Sequence, residues 1–453
     1  MLQHYDIAII GGGAAGLMAA YGARTSGKNA SVIILEKMPR PGRKIMITGK
    51  GRCNFTNVKE WSDFSGHVKA NSNALRPSFY NLTPENLISF FNEHGTESVV
   101  ERGDRAFPAS HRSMDIVDTL VDAAAGSGAR IETGAEVSEV SAEEAEGGKI
   151  FVIKTSDGRC FTSARLIIAT GGLSYPTTGS TGDGYRIASE LGHSIKQCFP
   201  SLTALVPKGY KLVPDGYKGE MKCHIDRSLP LSDTGKALCG NSLKNICIRL
   251  IGGEAVVQEM EGDIDFTDGG IEGPAGFAVS RNAVKMMVNG GKARISIDLK
   301  PGVPAEEFGS RVSGMWKDIL ADPRSKGKPV RQTVKILLGK LLPWELIPGF
   351  MKCHPEIISG PEGRGSLKMK SLLEAFRNWE FELEGFVGYE RCVVTAGGIS
   401  CDEIVPKTLA SRKCQGLYIC GEVLDIDADT GGYNLHSAFA TGLLAGRSAA
   451  LSL

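Results

Sequence analysis

Three glycines and one acid within the first 36 residues are the set from which the rest of the chain is read. Gly11, Gly13 and Gly16 form G-x-G-x-x-G at the end of the apolar run Ile7 to Ile10, and Glu36 follows Gly16 by twenty residues, closing a second apolar run, Val32 to Leu35. In such a pattern the first glycine permits a tight turn, the second lets backbone approach a pyrophosphate, and the third lets a helix pack on the strand. The helix opening at Ala14 and Ala15 would turn its free N–H groups and positive dipole end toward the phosphates. A carboxylate at the second strand end accepts ribose hydroxyls of an adenosine half, and an acid rather than an arginine there argues against a 2′-phosphate. A lone G-x-G-x-x-G is often an ordinary glycine turn; with both strands and the acid in place it points to a dinucleotide.

The loop from Lys37 to Asn57 continues the same chemistry. Arg43, Lys44, Lys50 and Arg52, with Lys37, Thr48 and Gly49, would gather around phosphates or an anionic ring, the alternative being a solvated basic loop. Asn54, Thr56 and Asn57 are neutral hydrogen-bonding groups suited to the edge of a heterocycle. Cys53 lies among them, and a thiol beside Lys50 and Arg52 is expected to have a lowered pKa, which makes Cys53, with Asn54, the candidate catalytic pair; a packed thiol without chemistry is the competing reading. Further on, the strand Ala164 to Ala169 runs into Thr170, Gly171 and Gly172, and the strand Leu417 to Cys420 ends in Gly421 and Glu422. After these comes a turn containing Asp425, Gly432 and Tyr433 that opens a helix at about Asn434. A strand-terminal acid can hold a ribityl hydroxyl, and a helix N-terminus can face a flavin's pyrimidine carbonyl and favour the anionic reduced ring. Two ends of the chain closing on one extended cofactor imply FAD rather than NAD. It is expected to be non-covalent, since no His or Cys is placed for a flavin linkage. With no second G-x-G-x-x-G, NAD(P)H is expected only as a transient electron donor.

These residues need an α/β scaffold, and the elements supply one. A helix is expected over Thr83 to His94, another from about Ser113, and a β-meander from Arg130 to Val140 and Ile150 to Thr155 joined by an acidic turn. The 453 residues call for two or three domains. The expected partition is a Rossmann-type FAD domain over 1–200 and 391–453, a β-rich insertion over 201–273 and about 355–390, and a helical subdomain over 274–354. Within the last, Arg324, Lys326, Lys328, Arg331, Lys335 and Lys340 form a run without an acid, read either as a solvated helix face or as a phosphate-tracking patch. Leu341, Leu342, Trp344, Leu346, Ile347 and Phe350 follow closely enough to line an apolar pocket, although helical core is the commoner fate of such residues. The formal net charge of +1 advertises no global basic field. Eleven cysteines without any C-x-x-C fit a reducing cytoplasm and exclude the usual zinc spacing, so no metal is expected. No export signal is read at the N-terminus and no run is long enough to span a bilayer, so a cytoplasmic, non-membrane protein is expected.

On GGGAAG at Gly11, GKGRCNFTN at Gly49, ATGGLSYPTTGSTGDGY at Ala169, TAGGIS at Thr395 and GLYICGEVLDIDADTGGYN at Gly416, the sequence resembles the bacterial flavoprotein family named for BaiN and RdsA, NAD(P)/FAD-dependent oxidoreductases. The resemblance covers essentially the whole chain. It implies a glutathione-reductase-like, Rossmann-type FAD-binding domain interrupted by a β-barrel-like domain and a small helical domain. It also implies reduction of a carbon–carbon double bond conjugated to a carbonyl, either a uracil of large-subunit ribosomal RNA giving dihydrouridine or a 3-oxo-Δ4 or Δ6 bile acid; a further relative is an aminoacetone oxidase using O2. A ribosomal RNA substrate is favoured, through Arg324, Lys326, Lys328, Arg331 and Lys335. Where relatives read FTH-x-G-[IL]-SGP this chain has Asp268 and Glu272, and after GGYNL it has His436 in place of the usual Gln.

Overall fold

Residues 3–145, 148–360 and 365–453 are described by a computed structural model, in which the chain divides into two compact units, Met1–Ser201 with Cys392–Leu453, and Leu202–Arg391. In the first unit, strand β1 (Gln3–Ile10), helix α1 (Ala14–Arg24) and strand β2 (Val32–Glu36) follow one another at the N-terminus. All of β2 is buried, which is why it reads as an unbroken apolar run and not as an alternation. β1 pairs in parallel with β2 on one side and with β3 (Cys160–Ile168) on the other. The outer edge of β3 is shared: Gly148–Thr155 pairs with its first half, and β4 (Leu417–Ile419) pairs in parallel with its second. Ile10 lies opposite both Leu35 and Ile168, and Ile168 opposite Ile419. Gly11, Glu36, Ala169 and Cys420 therefore stand at one level, at the carboxyl ends of four parallel strands, where open α/β sheets bind ligands.

The expected meander is differently built. Arg130–Thr133 extends the parallel part of the sheet beside β2, and only Val137–Ala145 pairs antiparallel with Gly148–Thr155. Gly134, at φ +63°, breaks the segment Arg130 to Val140 into two strands. The tip of the acidic turn, residues 146–147, lies outside the described residues. Helix α2 (Tyr433–Leu451) packs against α1 at its glycines. A Cβ at Gly442 would sit 2.2 Å from the Ala15 carbonyl oxygen, and one at Gly446 1.9 Å from that of Ala19. Both neighbours are backbone, so only glycine lets the two helices approach this closely.

The second unit holds a closed six-stranded barrel in the order Leu205–Pro207, Gly270–Glu272, Ala255–Thr267, Ser242–Gly252, Ala293–Asp298, Trp379–Phe386. The strand Ala293–Asp298 falls inside the stretch expected to be helical; its ARISID alternation carries Ile295 and Ile297 to full burial. The helix Gly273–Val288 packs on the barrel, and the helices proper run from Ala305–Ala321 to Ile347–Cys353. Phe350 is fully buried with its ring 5.2 Å from that of buried Trp379, and Leu346 and Ile347 are buried as well. These residues join helices to barrel. Two cavities in this unit, of about 300 and 560 Å³, have other linings, Tyr210, Lys208 and Glu382 among them in one and Lys218, Glu220 and His224 in the other. Asp268 and Glu272 are held by guanidinium groups: Asp268 accepts from Arg227 at 2.8 Å, and Glu272 pairs with Arg391 at 3.0 Å. No described helix is long and apolar enough to cross a membrane.

Candidate functional site

The carboxyl-end row of the sheet is lined by the groups the sequence singled out. Gly11 has φ +102°, and a Cβ there would lie 2.6 Å from the Ala169 carbonyl oxygen. A Cβ at Gly16 would lie 1.9 Å from the Gly11 carbonyl oxygen. Both glycines are therefore fixed by the protein's own backbone. Gly13 differs: a Cβ there meets nothing within 4 Å, and its φ of −84° suits any residue. A glycine without a steric reason in the chain itself, at the N-terminus of α1, is what a ligand pressed against that backbone would require. Glu36 is 9% exposed and accepts from the Gly12 amide at 2.7 Å and the Met38 amide at 2.8 Å. Burial raises its pKa above the ordinary carboxylate range, against those two hydrogen bonds and the charges of Lys37 and Arg43. Ala14 and Ala15 open α1, Ala15 buried beneath Gly421.

Against the turn that precedes α2, Asn57 donates its Nδ2 to the carbonyls of Gly103 and Gly431, at 3.0 and 3.2 Å, which fixes its amide orientation. Its Oδ1 is buried without a hydrogen-bond partner, and so is Oδ1 of Asn54. Gly432, the residue before α2, has φ +99°, and a Cβ there would collide with the Thr56 carbonyl at 2.5 Å and approach Asn54 Oδ1 at 2.9 Å. Two orphaned acceptors thus stand beside a helix N-terminus that no side chain caps. Burying an acceptor unpaired costs about 1–3 kcal/mol, so the pair suits a ring that brings its own N–H donor. An isoalloxazine ring, with one N–H between two carbonyls, fits this combination.

The structure also reassigns several groups. Glu422 accepts at Oε1 from Ser174 Oγ at 2.8 Å and the Thr395 amide at 2.9 Å, and at Oε2 from Lys44 Nζ at 2.6 Å. In place of a free acid awaiting a ribityl hydroxyl it is the tie between three segments, and Lys44 is its counter-ion, also donating to Ser174. Ser174 and Thr395, whose Oγ1 accepts from the Leu173 and Ser174 amides, were missed as site-builders although both stand in the quoted motifs. Gly172 has no room for a Cβ, 2.5 Å from Thr395 Oγ1. Lys37 pairs with Asp183 at 2.6 Å, and Arg52 with Glu101 while lying over the Phe107 ring at 4.5 Å. Neither cation stands free for a phosphate. Arg43 opens a one-turn helix after left-handed Gly42, and Thr48 donates to the Ile45 carbonyl ahead of Gly49 and Lys50, both at positive φ. Thr170 closes against Gly184, Gly171 turns at φ +73°, and Gly421 donates to Thr441 Oγ1 at 3.0 Å. The Asp425 carbonyl and carboxylate both accept from Asn71. Tyr433 stacks on His67 at 4.3 Å, and Asn434 spends its amide on the backbone of Ala428 and Asp429. Asn434 thereby secures the turn before α2.

Cys53 also departs from expectation. It is fully buried, and burial pushes the thiol up to about 12, opposite to the lowering expected from its basic neighbours. His436 is equally buried, with Nδ1 2.9 Å from Thr56 Oγ1 and its ring among Phe64 and Phe79; burial pulls its pKa down to about 3, so it is a neutral core histidine.

With this geometry in view, comparison with known proteins is decisive at the level of family. Residues 5–448 match the family described as HI0933-like protein Rossmann domain. The chain belongs to this family. Among curated relatives, a 3-dehydro-bile acid delta(4,6)-reductase of Clostridium scindens is 31% identical over 450 residues, covering 98% of each chain. Ribosomal RNA dihydrouridine synthases of Haemophilus influenzae and Escherichia coli are 30% and 27% identical, covering 97% of each chain and 97% and 96% of this chain and the relative, respectively. The family's Rossmann assignment agrees with the parallel row described above, and the relatives are oxidoreductases.

Proposed function

We propose that the protein is an FAD-dependent oxidoreductase that reduces a carbon–carbon double bond conjugated to a carbonyl, with uridine in large-subunit ribosomal RNA as its substrate. The observation that carries the cofactor is the presence, in one compact unit, of unobstructed Gly13 and the orphaned Oδ1 atoms of Asn54 and Asn57. The α1 N-terminus and Gly13 would meet the pyrophosphate, and Glu36 the adenosine ribose. Oδ1 of Asn54 or of Asn57 would accept from the single ring N–H, and the amides opening α2 would favour negative charge on the neighbouring ring carbonyl. Bound and reduced, FAD would supply a hydride to the electrophilic β carbon, and the resulting enolate would take a proton from solvent at the α carbon, so that the double bond gains two hydrogens. The chain's share is to orient the ring and to hold Lys44, Ser174, Thr395 and Glu422 as one rigid wall beside it. NAD(P)H as a transient donor and a cytoplasmic location belong to the same proposal.

The RNA substrate is supported by the names of two relatives and by the basic face of the helical part. Lys326, Lys328, Arg331 and Lys335 are exposed and form no ion pair among the described residues. Arg324 is removed from that set, since Asp322 holds it at 2.7 Å. A bile-acid substrate is favoured by the third relative, at nearly equal identity. The deciding experiment offers the reduced enzyme unmodified large-subunit RNA fragments and, separately, a 3-oxo-Δ4 steroid, and looks by mass for a gain of two hydrogens. Gain in the RNA, abolished by Lys326→Glu, Lys328→Glu and Arg331→Glu together, supports the proposal. Gain in the steroid alone, untouched by those reversals, overturns the substrate.

A further inference from the structure

The helix Val330–Gly339 is amphipathic: Val334, Leu337 and Leu338 are fully buried, while Arg331 and Lys335 are exposed. Arg331, Lys335 and Gly339 are spaced i, i+4, i+8 and so share one stripe, stepping about 6 Å along the axis at each interval. The third step carries no side chain, and an indole from outside the helix takes its place. A Cβ at Gly339 would lie 2.5 Å from Cζ2 and 2.7 Å from Cε2 of Trp344, so the ring sits directly on the glycine. Trp344 nevertheless remains 59% exposed. The other tryptophans are covered to a greater degree, Trp379 completely. Lys340 is exposed at the end of the same helix, and Lys326 and Lys328 are exposed on the turn that leads into it. Of the nearby acids, Asp322 is occupied by Arg324, and Glu345 adjoins the indole in sequence.

An indole seated on one face and open on the other, at the end of a stripe of cations, combines the two elements by which proteins hold single-stranded nucleic acid: stacking for a base and positive charge for the phosphates on either side. An exposed aromatic alone would suit a protein partner equally well. The charge complementarity of Arg331, Lys335 and Lys340 to a polyanion favours a nucleic acid. Resting on the reading of an RNA substrate given above, we propose that Trp344 and the Arg331–Lys335 stripe form a platform on which an unpaired base of the RNA stacks while its flanking phosphates meet the stripe.

The test uses the full-length FAD-loaded protein and a short single-stranded oligouridylate. Binding is followed by tryptophan fluorescence and by anisotropy of a labelled oligonucleotide over a range of salt. Binding should quench fluorescence in the parent but not in Trp344→Ala. Trp344→Ala should weaken binding about ten- to a hundredfold, the scale of one lost stack, and Trp344→Phe should recover most of it. Gly339→Ala, which keeps the indole but removes its seat, should weaken binding with the salt dependence unchanged. Arg331→Glu with Lys335→Glu should reduce the slope of log affinity against log salt by about 1.4, two contacts on a single strand. Parent-like binding by Trp344→Ala, or quenching that survives it, overturns the platform. So does a Trp344-dependent self-association or protein partner with no effect on RNA. The mass assay on the same samples separates the two claims. RNA modified equally well by parent and Trp344→Ala at subsaturating concentration overturns the platform and leaves the function standing. Trp344-dependent binding by a parent that modifies no RNA supports the platform and overturns the substrate.

Discussion

Gly13→Val separates the space a cofactor needs from the space the fold needs. At Gly13 a side chain meets no protein atom within 4 Å, and the backbone, at φ −84°, is open to valine. Losing glycine as N-cap costs up to about 1 kcal/mol, and restricting the unfolded chain returns about 0.4–1 kcal/mol, so the apoprotein should change by less than about 1 kcal/mol. In a unit of this size that moves the melting midpoint by no more than about 2–4 °C. A tightly held ligand at a thousand times its Kd adds about 4 kcal/mol to folding stability, and that increment is what the valine should remove. The assay is a pair of thermal melts, with and without added FAD, beside the flavin content of the purified protein. Parent protein should be yellow and FAD-stabilised; Gly13→Val should melt as the parent apoprotein does and gain nothing from FAD. Gly16→Ala is the contrasting control, because its Cβ would strike the Gly11 carbonyl at 1.9 Å, and it should destabilise the apoprotein itself. A Gly13→Val protein that keeps full flavin and the full FAD-dependent rise would refute the assignment of that space to a pyrophosphate.

Three further outcomes follow from particular groups. Cys53, buried with its thiol pushed up to about 12, should resist alkylation in the native protein, and Cys53→Ala should change substrate reduction by only a few-fold, not by the roughly 10²-fold of a lost general acid. His436, with a folded pKa near 3 against an ordinary 6.5, leaves the unfolded chain binding one more proton between those values. Stability from this group is complete above pH 6.5 and is lost as pH falls toward 3, with a slope of about 1.4 kcal/mol per unit. His436→Gln should flatten denaturant-derived stability over that window by this one proton. Glu422→Ala strands Lys44 and unties Ser174 from Thr395, and should cost about 2–3 kcal/mol in chemical denaturation, with Glu422→Gln losing less.

What could be read in the sequence was whatever is encoded within one strand–turn–helix unit. The reading of Gly11, Gly16 and Glu36 needed only thirty residues of context, and the row of strand ends at Ile10, Leu35, Ile168 and Ile419 followed from four apolar runs that stop at Gly11, Glu36, Thr170 and Gly421. What could not be read were partners. Lys44 and Glu422 are 378 residues apart, and nothing near either announces that the cation expected at a phosphate and the acid expected at a ribityl chain neutralise one another. Cys53 failed for a related reason, since its basic neighbours in sequence point elsewhere and what surrounds the thiol is core. The same asymmetry separates the two halves of the proposed RNA surface. The stripe of Arg331 and Lys335 is a matter of helical period and stands in the sequence. Its third position reads there only as a glycine, a weak point in a helix, until the fold sets an indole upon it. The ring set there keeps more than half of its surface in solvent beside the exposed cations, and it is on this ground that Trp344 is expected to have an occupant.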